Sequence, residues 1–489
     1  MAERRLSAKG RGGPIAEFQK LSAGATKLPA VKRARNRLYW QSSKEIDMRR
    51  FIEDLTRRGE LSVVRRPVDP RHQLAAVTKA VQTAGEQAVL FESVEGTKLP
   101  VVSNLYGSHE RLCRLIGTGQ KTFCERWIEL TDACVAGRDA DVLAQAPASV
   151  EAEFRDGRLS DLPAITYHER DAGPYFTSAI FLAHEPDSGV PNLSFHRAMQ
   201  VSDQELRIRL GSTHDLARYQ AKAEARGEAL EAVLLLSCPP EIFLAACASL
   251  PYEASELVMA AKIAGGRIAM RPCKTIDLDV PASCDIVVEG RILPDVKRPE
   301  GPFGEFMGNY VGVGDNHVFE VSHVSYRPDA VFHGLLCGSP EDLRPLEAVT
   351  AARVYRHVSA QVPGVLDVCC RPNVMISIIR IRKTYEGQGK HAILAALGSH
   401  LDYNKVVIVV DEDVDIYDLD DVMWAYMTRG RADTRAMILN DIPGFYRDPH
   451  KDHWGRLCID ATMPFGREAE FARKRVPGED AVDLKEWLA

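Results

Sequence analysis

Pro299-Glu300-Gly301-Pro302-Phe303-Gly304-Glu305 is too rich in glycine and proline to be helix, and it follows Ile286-Val287-Val288-Glu289-Gly290-Arg291-Ile292, a run with strand character. A turn of that composition can bring the carboxylates of Glu300 and Glu305 to one cavity wall. Two acids sharing a poorly solvated site do not both ionise cheaply, and the one that keeps its proton near neutral pH is equipped to be a general acid.

Further strand-like runs lie at 232–236 and 267–270, and turns are dense between about 120 and 315, a pattern that points to a β-barrel or sandwich core with inserted helices. On the amino-terminal side, Asp47 reads as an N-cap, with Met48, Phe51, Ile52 and Leu55 on one helical face and Gly59 as the stop. Strands are expected at 61–64, 88–91 and 99–102, giving a small α/β unit. On the carboxy-terminal side a long amphipathic helix is expected over 340–362. Beyond it the order is strand (374–381), helix (391–397), strand (406–410), helix (422–427), strand (436–439), which implies a second α/β domain with a largely parallel sheet. Residues 1–39 hold ten Lys or Arg against two Glu and lack the apolar content to fold alone, so a basic flexible arm is expected over 1–46.

At 489 residues the chain exceeds a single core, and 45% hydrophobic with 27% charged residues is ordinary globular composition. A net charge of −6, with no basic stripe interleaved with aromatics, argues against nucleic acid. No apolar run is long enough to span a bilayer and no hydrophobic signal core opens the chain, so a cytoplasmic protein without a membrane span is expected. The 11 cysteines include no Cys-x-x-Cys pair, against structural zinc and in keeping with a reducing compartment.

There is no Gly-x-Ser-x-Gly elbow, no Gly-x-Gly-x-x-Gly and no phosphate-binding P-loop. Asp411, Asp413, Asp415 and Asp418 superficially suggest a calcium loop, but the sixth-position glycine is missing and Val422 stands where a glutamate belongs. The remaining candidates are dispersed: Asn192 with Arg197, His214, Glu256, and the pair Glu300 and Glu305. An amide oxygen, an imidazole and a carboxylate make a donor set that suits Mn²⁺ or Mg²⁺ better than zinc and leaves coordination positions open for a phosphate.

Pro191-Asn192-x-Ser194-x-x-Arg197, the Ser255-Glu256 helix start, Val280-Pro281-Ala282 leading to Ile286-Val287-Val288-Glu289-Gly290, Pro299 to Glu305, and Val409-Val410-Asp411 to Trp424-Ala425 together resemble the UbiD family of decarboxylases, from about residue 47 to the end. The resemblance implies a multidomain α+β and α/β chain. Its parts would be an amino-terminal α/β unit (47–120, completed by about 316–338), a central split β-barrel flavin domain (121–315), a connecting helix (340–362) and a carboxy-terminal α/β dimerisation domain (363–489).

It also implies prenylated FMN, supplied by a flavin prenyltransferase, with the flavin phosphate bridged to Mn²⁺ and a neighbouring K⁺. Asn192, His214 and Glu256 would ligate Mn²⁺; Ala246, Ser249 and Glu256 would hold K⁺. Ser194, Phe195, His196, Arg197, Thr213, Ala248 and Lys405 would line the cofactor, with Thr213 standing where related enzymes often carry Gln. Arg197 would pair with the substrate carboxylate and with Glu300, and Glu305 would protonate the carbon from which CO₂ departs, the substrate being joined covalently to the cofactor meanwhile. Phe306, Cys337, Leu346 and His333 are the expected substrate-pocket walls. The implied reaction is reversible decarboxylation of an aromatic, heteroaromatic or α,β-unsaturated acid by a homodimer or homohexamer. A non-catalytic flavin-binding subunit and an FMN oxidoreductase are the alternatives; intact Arg197, Glu300 and Glu305 speak against the first.

Overall fold

The computed structural model describes residues 47–136, 142–399, 403–442 and 455–478, together with 444, 445, 448, 481–483 and 487; the basic arm expected over 1–46 lies outside the described residues. Helix α1 (Met48–Arg57) starts where Asp47 accepts a hydrogen bond from the Arg50 amide, and it buries Met48, Phe51, Ile52 and Leu55. With α2 (Gln73–Ala84), α3 (His109–Leu115) and α4 (Phe123–Ala136) it accompanies a four-stranded sheet in the order Leu61–Val64, Ala88–Phe91, Val101–Ser103, Phe332–His333. Only the last of these strands comes from the late segment expected to complete this unit. Residues Gly314–Tyr326 belong instead to the large central sheet.

That sheet curls as a half-barrel of nine strands among the described residues, and its long path runs through Glu205–Ile208, Gly314–Tyr326, Ile286–Glu300, Leu230–Leu236, Ile180–His184 and Pro191–Phe195. Leu230–Leu236 is apolar almost throughout because both faces are covered. Val233 and Leu235 join one core, whereas Ala232, Leu234 and Leu236 join another, and Ile180 to Ala183 alternate in the same way. The first core is filled from the outside by α6 (Pro240–Ala246) and α7 (Glu256–Ala264), the second by α5 (Asp215–Ala225) through Leu216, Tyr219 and Ala223.

Helix α8 (Pro340–Ser359) packs on α4 and carries the chain into the carboxy-terminal domain, where α9 (Gln388–Ser399) and α10 (Leu419–Arg429) flank five strands. Their order is Val365–Cys369, Ile376–Ile381, Val406–Asp411, Arg456–Ala461, Ala436–Leu439. Only the two inner pairings are parallel. Both edge strands run antiparallel, so the sheet is mixed where a largely parallel one was expected. The aspartate cluster after Val406–Asp411 clamps an arginine: Arg429 Nη1 donates to Asp411 (2.9 Å) and Asp413 (2.8 Å).

Candidate active site

Phe303–Gly304 pairs with Tyr310–Val311 in a short hairpin, and Glu305 is the first residue of its loop. Gly301, at φ +96°, turns the chain out of the long strand; a Cβ there would meet the Gly312 carbonyl oxygen at 2.9 Å. A Cβ at Gly304 would come within 2.4 Å of His168 Nδ1, and the Gly304 amide donates to Asp171 Oδ1 (2.8 Å). Inside the loop the Glu305 side chain is held by the loop's backbone, the Met307 amide donating to Oε2 at 3.1 Å.

Glu300, at the end of its strand, is 1% exposed. Arg197 grips it with two parallel bonds, Nε to Oε1 at 3.0 Å and Nη2 to Oε2 at 2.8 Å. Tyr175 Oη and Asn316 Nδ2 each donate to it at 2.8 Å, so in each of these four bonds the Glu300 carboxylate is the acceptor. Burial and Glu300 push the Tyr175 hydroxyl far up, which keeps it a donor. Arg197 stacks on Phe303 (4.6 Å to the ring centre), and its remaining nitrogen, Nη1, is buried with no hydrogen-bond partner among the described residues.

Arg197 and Glu305 face one cavity of about 410 Å³. At one end stand Asn192, Ser194, His214, Ser249 and Glu256. Ser255 caps α7 and places Glu256 at its first position, where Oε2 accepts from the Leu193 amide (2.9 Å) and Asn192 Nδ2 (3.2 Å). Burial pushes the Glu256 carboxyl up to about 8, against the pull of those hydrogen bonds, with Asp215 adding to the rise. A buried acid beside an amide, with an imidazole in the same cavity, is a donor set that a cation would relieve, so these residues fit a bound divalent ion. Among the described residues no group of three or more His, Cys, Asp or Glu is arranged around a metal, and the fit therefore depends on Asn192 and on oxygens brought by a ligand. Phe195, His196, Thr213, Ala246 and Ala248 also line this half. His196 is held by Ser194 (3.0 Å) and the Arg209 carbonyl (3.1 Å).

The other end is walled by Phe306, Cys337 and Leu346, three of the residues named from the sequence, and by Asp342, Tyr403 and Phe445, which were not named. Asp342 sits in the first turn of α8 and accepts from the Gly338 amide (2.8 Å). Its carboxyl is pushed up to about 6, chiefly by burial, with Glu305 and Glu341 contributing. Burial also raises the neighbouring Cys337 thiol. An acidic residue in a helix's first turn, five residues after a pocket cysteine, was the available signal for Asp342. Tyr403 and Phe445 come from another domain, and spacing carries no trace of them.

Two expected residues are not among the cavity walls. His333 turns into the protein, its Nε2 2.9 Å from Glu341 Oε1, because Glu341 ties α8 to the amino-terminal sheet through the Asn104 and Leu105 amides (2.6 Å each). Lys405 Nζ reaches Asp448 at 3.3 Å, and it is Tyr403, two residues earlier, that reaches the cavity.

Three consecutive domain families match: the 3-octaprenyl-4-hydroxybenzoate carboxy-lyase amino-terminal domain over residues 52–131, its Rift-related domain over 141–340 and its carboxy-terminal domain over 345–461. The anhydromevalonate phosphate decarboxylase of Methanothermobacter thermautotrophicus is 31% identical over 442 residues, 87% of this chain and 99% of that enzyme. The chain belongs to the UbiD family. Among solved structures, the UbiD-class enzyme HmfF from Pelotomaculum thermopropionicum in complex with FMN superposes with a TM-score of 0.85 at 32% identity, covering 91% of this chain and all of that one (100%). An evolved dimeric form of HmfF in complex with prFMN gives 0.80 at 31%, again over 91% and 100%. As a UbiD member the chain is an enzyme, a carboxy-lyase of the decarboxylase class. Among the described residues no helix is long and apolar enough to cross a membrane.

Proposed function

We propose that this enzyme decarboxylates, reversibly, a flat unsaturated acid (aromatic, heteroaromatic or α,β-unsaturated) with prenylated FMN, the flavin phosphate being anchored through Mn²⁺ at Asn192, His214 and Glu256. K⁺ would sit beside Ala246, Ser249 and Glu256, and a flavin prenyltransferase would supply the cofactor. The observation that carries the reading is the buried Arg197–Glu300 pair, with Arg197 and Glu305 lining one cavity and Arg197 Nη1 without a partner among the described residues.

When bound, the modified flavin supplies the electron sink that no side chain can offer a carbon losing CO₂. Arg197 receives the substrate carboxylate on Nη1, and Glu300 with Tyr175 and Asn316 prevents the guanidinium from swinging away. Phe306, Leu346, Tyr403 and Phe445 surround the body of the acid with apolar and aromatic surface and exclude water. Glu305 delivers the proton to the carbon that CO₂ leaves, with Asp342 in the wall beside it.

For the carboxy-terminal domain we propose a second copy of the chain as partner. Ala436–Leu439 is an edge strand, and the cross-strand partners Ile438 and Leu457 are 70% and 41% exposed.

The test is CO₂ release by holoenzyme, co-expressed with a flavin prenyltransferase, across aryl, heteroaryl and acrylic acids. Release from at least one class, together with solvent deuterium appearing in its product, is expected. A prenylated-FMN-loaded protein that releases none and exchanges none would sink the proposal.

A further inference from the structure

A second cavity, of about 560 Å³, lies behind the hairpin loop, and both Glu305 and Cys337 belong to its walls as well as to those of the first. Its other walls come from α2 (Ala76, Lys79), from His168 and Glu169, and from Asn309. Ala76, Lys79, Glu169 and Asn309 are exposed, so the rim is wet, while Glu305 at the inner end is 4% exposed. His72 and His168 also line it.

We propose that this rear cavity is the inlet through which solvent recharges the proton donor; the inference rests on the decarboxylase reading. The balance of the reaction demands such a route. The acid's carboxyl C–C bond breaks, its electron pair stays on carbon, CO₂ leaves, and that carbon takes the proton of Glu305. One proton per turnover must then return to the Glu305 carboxylate. With flavin and acid filling the front cavity, water there is displaced, whereas the rear cavity touches the same residue and stays open to solvent. Gly304 keeps the wall thin: the loop backbone lies directly against the His168 ring, with no side chain between them.

The experiment uses holoenzyme, an acid the wild type turns over, and two plugs on the rim, Ala76→Trp and Asn309→Trp, with Ala76→Ser as control. Flavin absorbance verifies that each is folded and loaded. The first turnover draws on the proton already on Glu305, so it should proceed at the wild-type rate. Later turnovers should be slower by about tenfold or more, giving a burst of one product per flavin that the control lacks. Wild-type steady-state rates in both plugged proteins would overturn the inlet, as would equal slowing of the first and later turnovers, which would mean that the cavity merely supports the hairpin. A wild-type holoenzyme that releases CO₂ from no acid would remove the decarboxylase reading and the inlet with it.

Discussion

Glu300 and Glu305 are five residues apart yet have opposite surroundings. Four donor atoms converge on Glu300, whereas Glu305 shares a wall with Asp342 and Cys337 and meets the cavity directly. Glu305→Gln keeps the shape and loses the proton; holoenzyme of this variant should retain its flavin spectrum while kcat falls by about 10² or more, measured as CO₂ release and as deuterium exchange into product. Near-wild-type turnover would remove Glu305 from the role. Asp342 makes a different prediction. Burial pushes its carboxyl up to about 6, above the ordinary aspartate value of about 3.9, so the native protein holds this proton where the unfolded chain has lost it. Stability from this group is therefore full below about 4 and is lost as pH rises through 6, a change of about 1–2 kcal/mol once solvent access from the cavity is allowed for. Asp342→Asn apoprotein should unfold at higher temperature than wild type at pH 7, with the difference shrinking toward pH 4. A pH-independent gap between the two melting curves would contradict this.

At the level of elements the hairpin carrying Glu305 and the start of α7 carrying Glu256 do the positioning. Gly304→Ala would drive a methyl into His168, so turnover should fall while flavin content holds. Adding His168→Ala should restore much of the loss, and a double variant no better than the single would refute the steric argument. Glu256→Ala removes the acceptor of the Leu193 and Asn192 bonds and the acid of the donor set, so it should emerge depleted of both divalent metal and flavin by elemental analysis and absorbance. Full flavin retention would count against the anchoring role. Much of this level is legible in the sequence. Strands at Leu61–Val64, Ala88–Phe91 and Ala436–Leu439 agree with expectation to the residue, since short apolar runs bounded by Gly, Pro or charge have little alternative. Helix α8 ends at Ser359 instead of continuing to 362, and α10 begins at Leu419, three residues before the expected start, because Asp418 caps it. Periodicity could not place His333, which is claimed by Glu341 through a contact visible only in three dimensions.

On the scale of the whole molecule the cavity has two ends of different origin. Asn192, His214 and Glu256 come from the central half-barrel domain, while Tyr403 and Phe445 come from the carboxy-terminal domain, reaching across to Phe306. This division explains why the end proposed to hold the ion is readable from local motifs and the end proposed to hold the substrate is not. The outer edge of the carboxy-terminal sheet makes the last prediction: Ile438→Lys should shift the protein toward monomer in light scattering without lowering its melting temperature by more than a few degrees. An unchanged oligomer would place the contact between copies elsewhere.

Phe306, Met307, Leu346 and Tyr403 pack with Val374, Met375 and Phe445 in an apolar cluster separate from the two cores that sandwich Leu230–Leu236. Selection can therefore resculpt this wall of the cavity at a site whose repacking leaves the half-barrel cores untouched. One ancestral framework can in this way be retuned to many molecules without refolding itself.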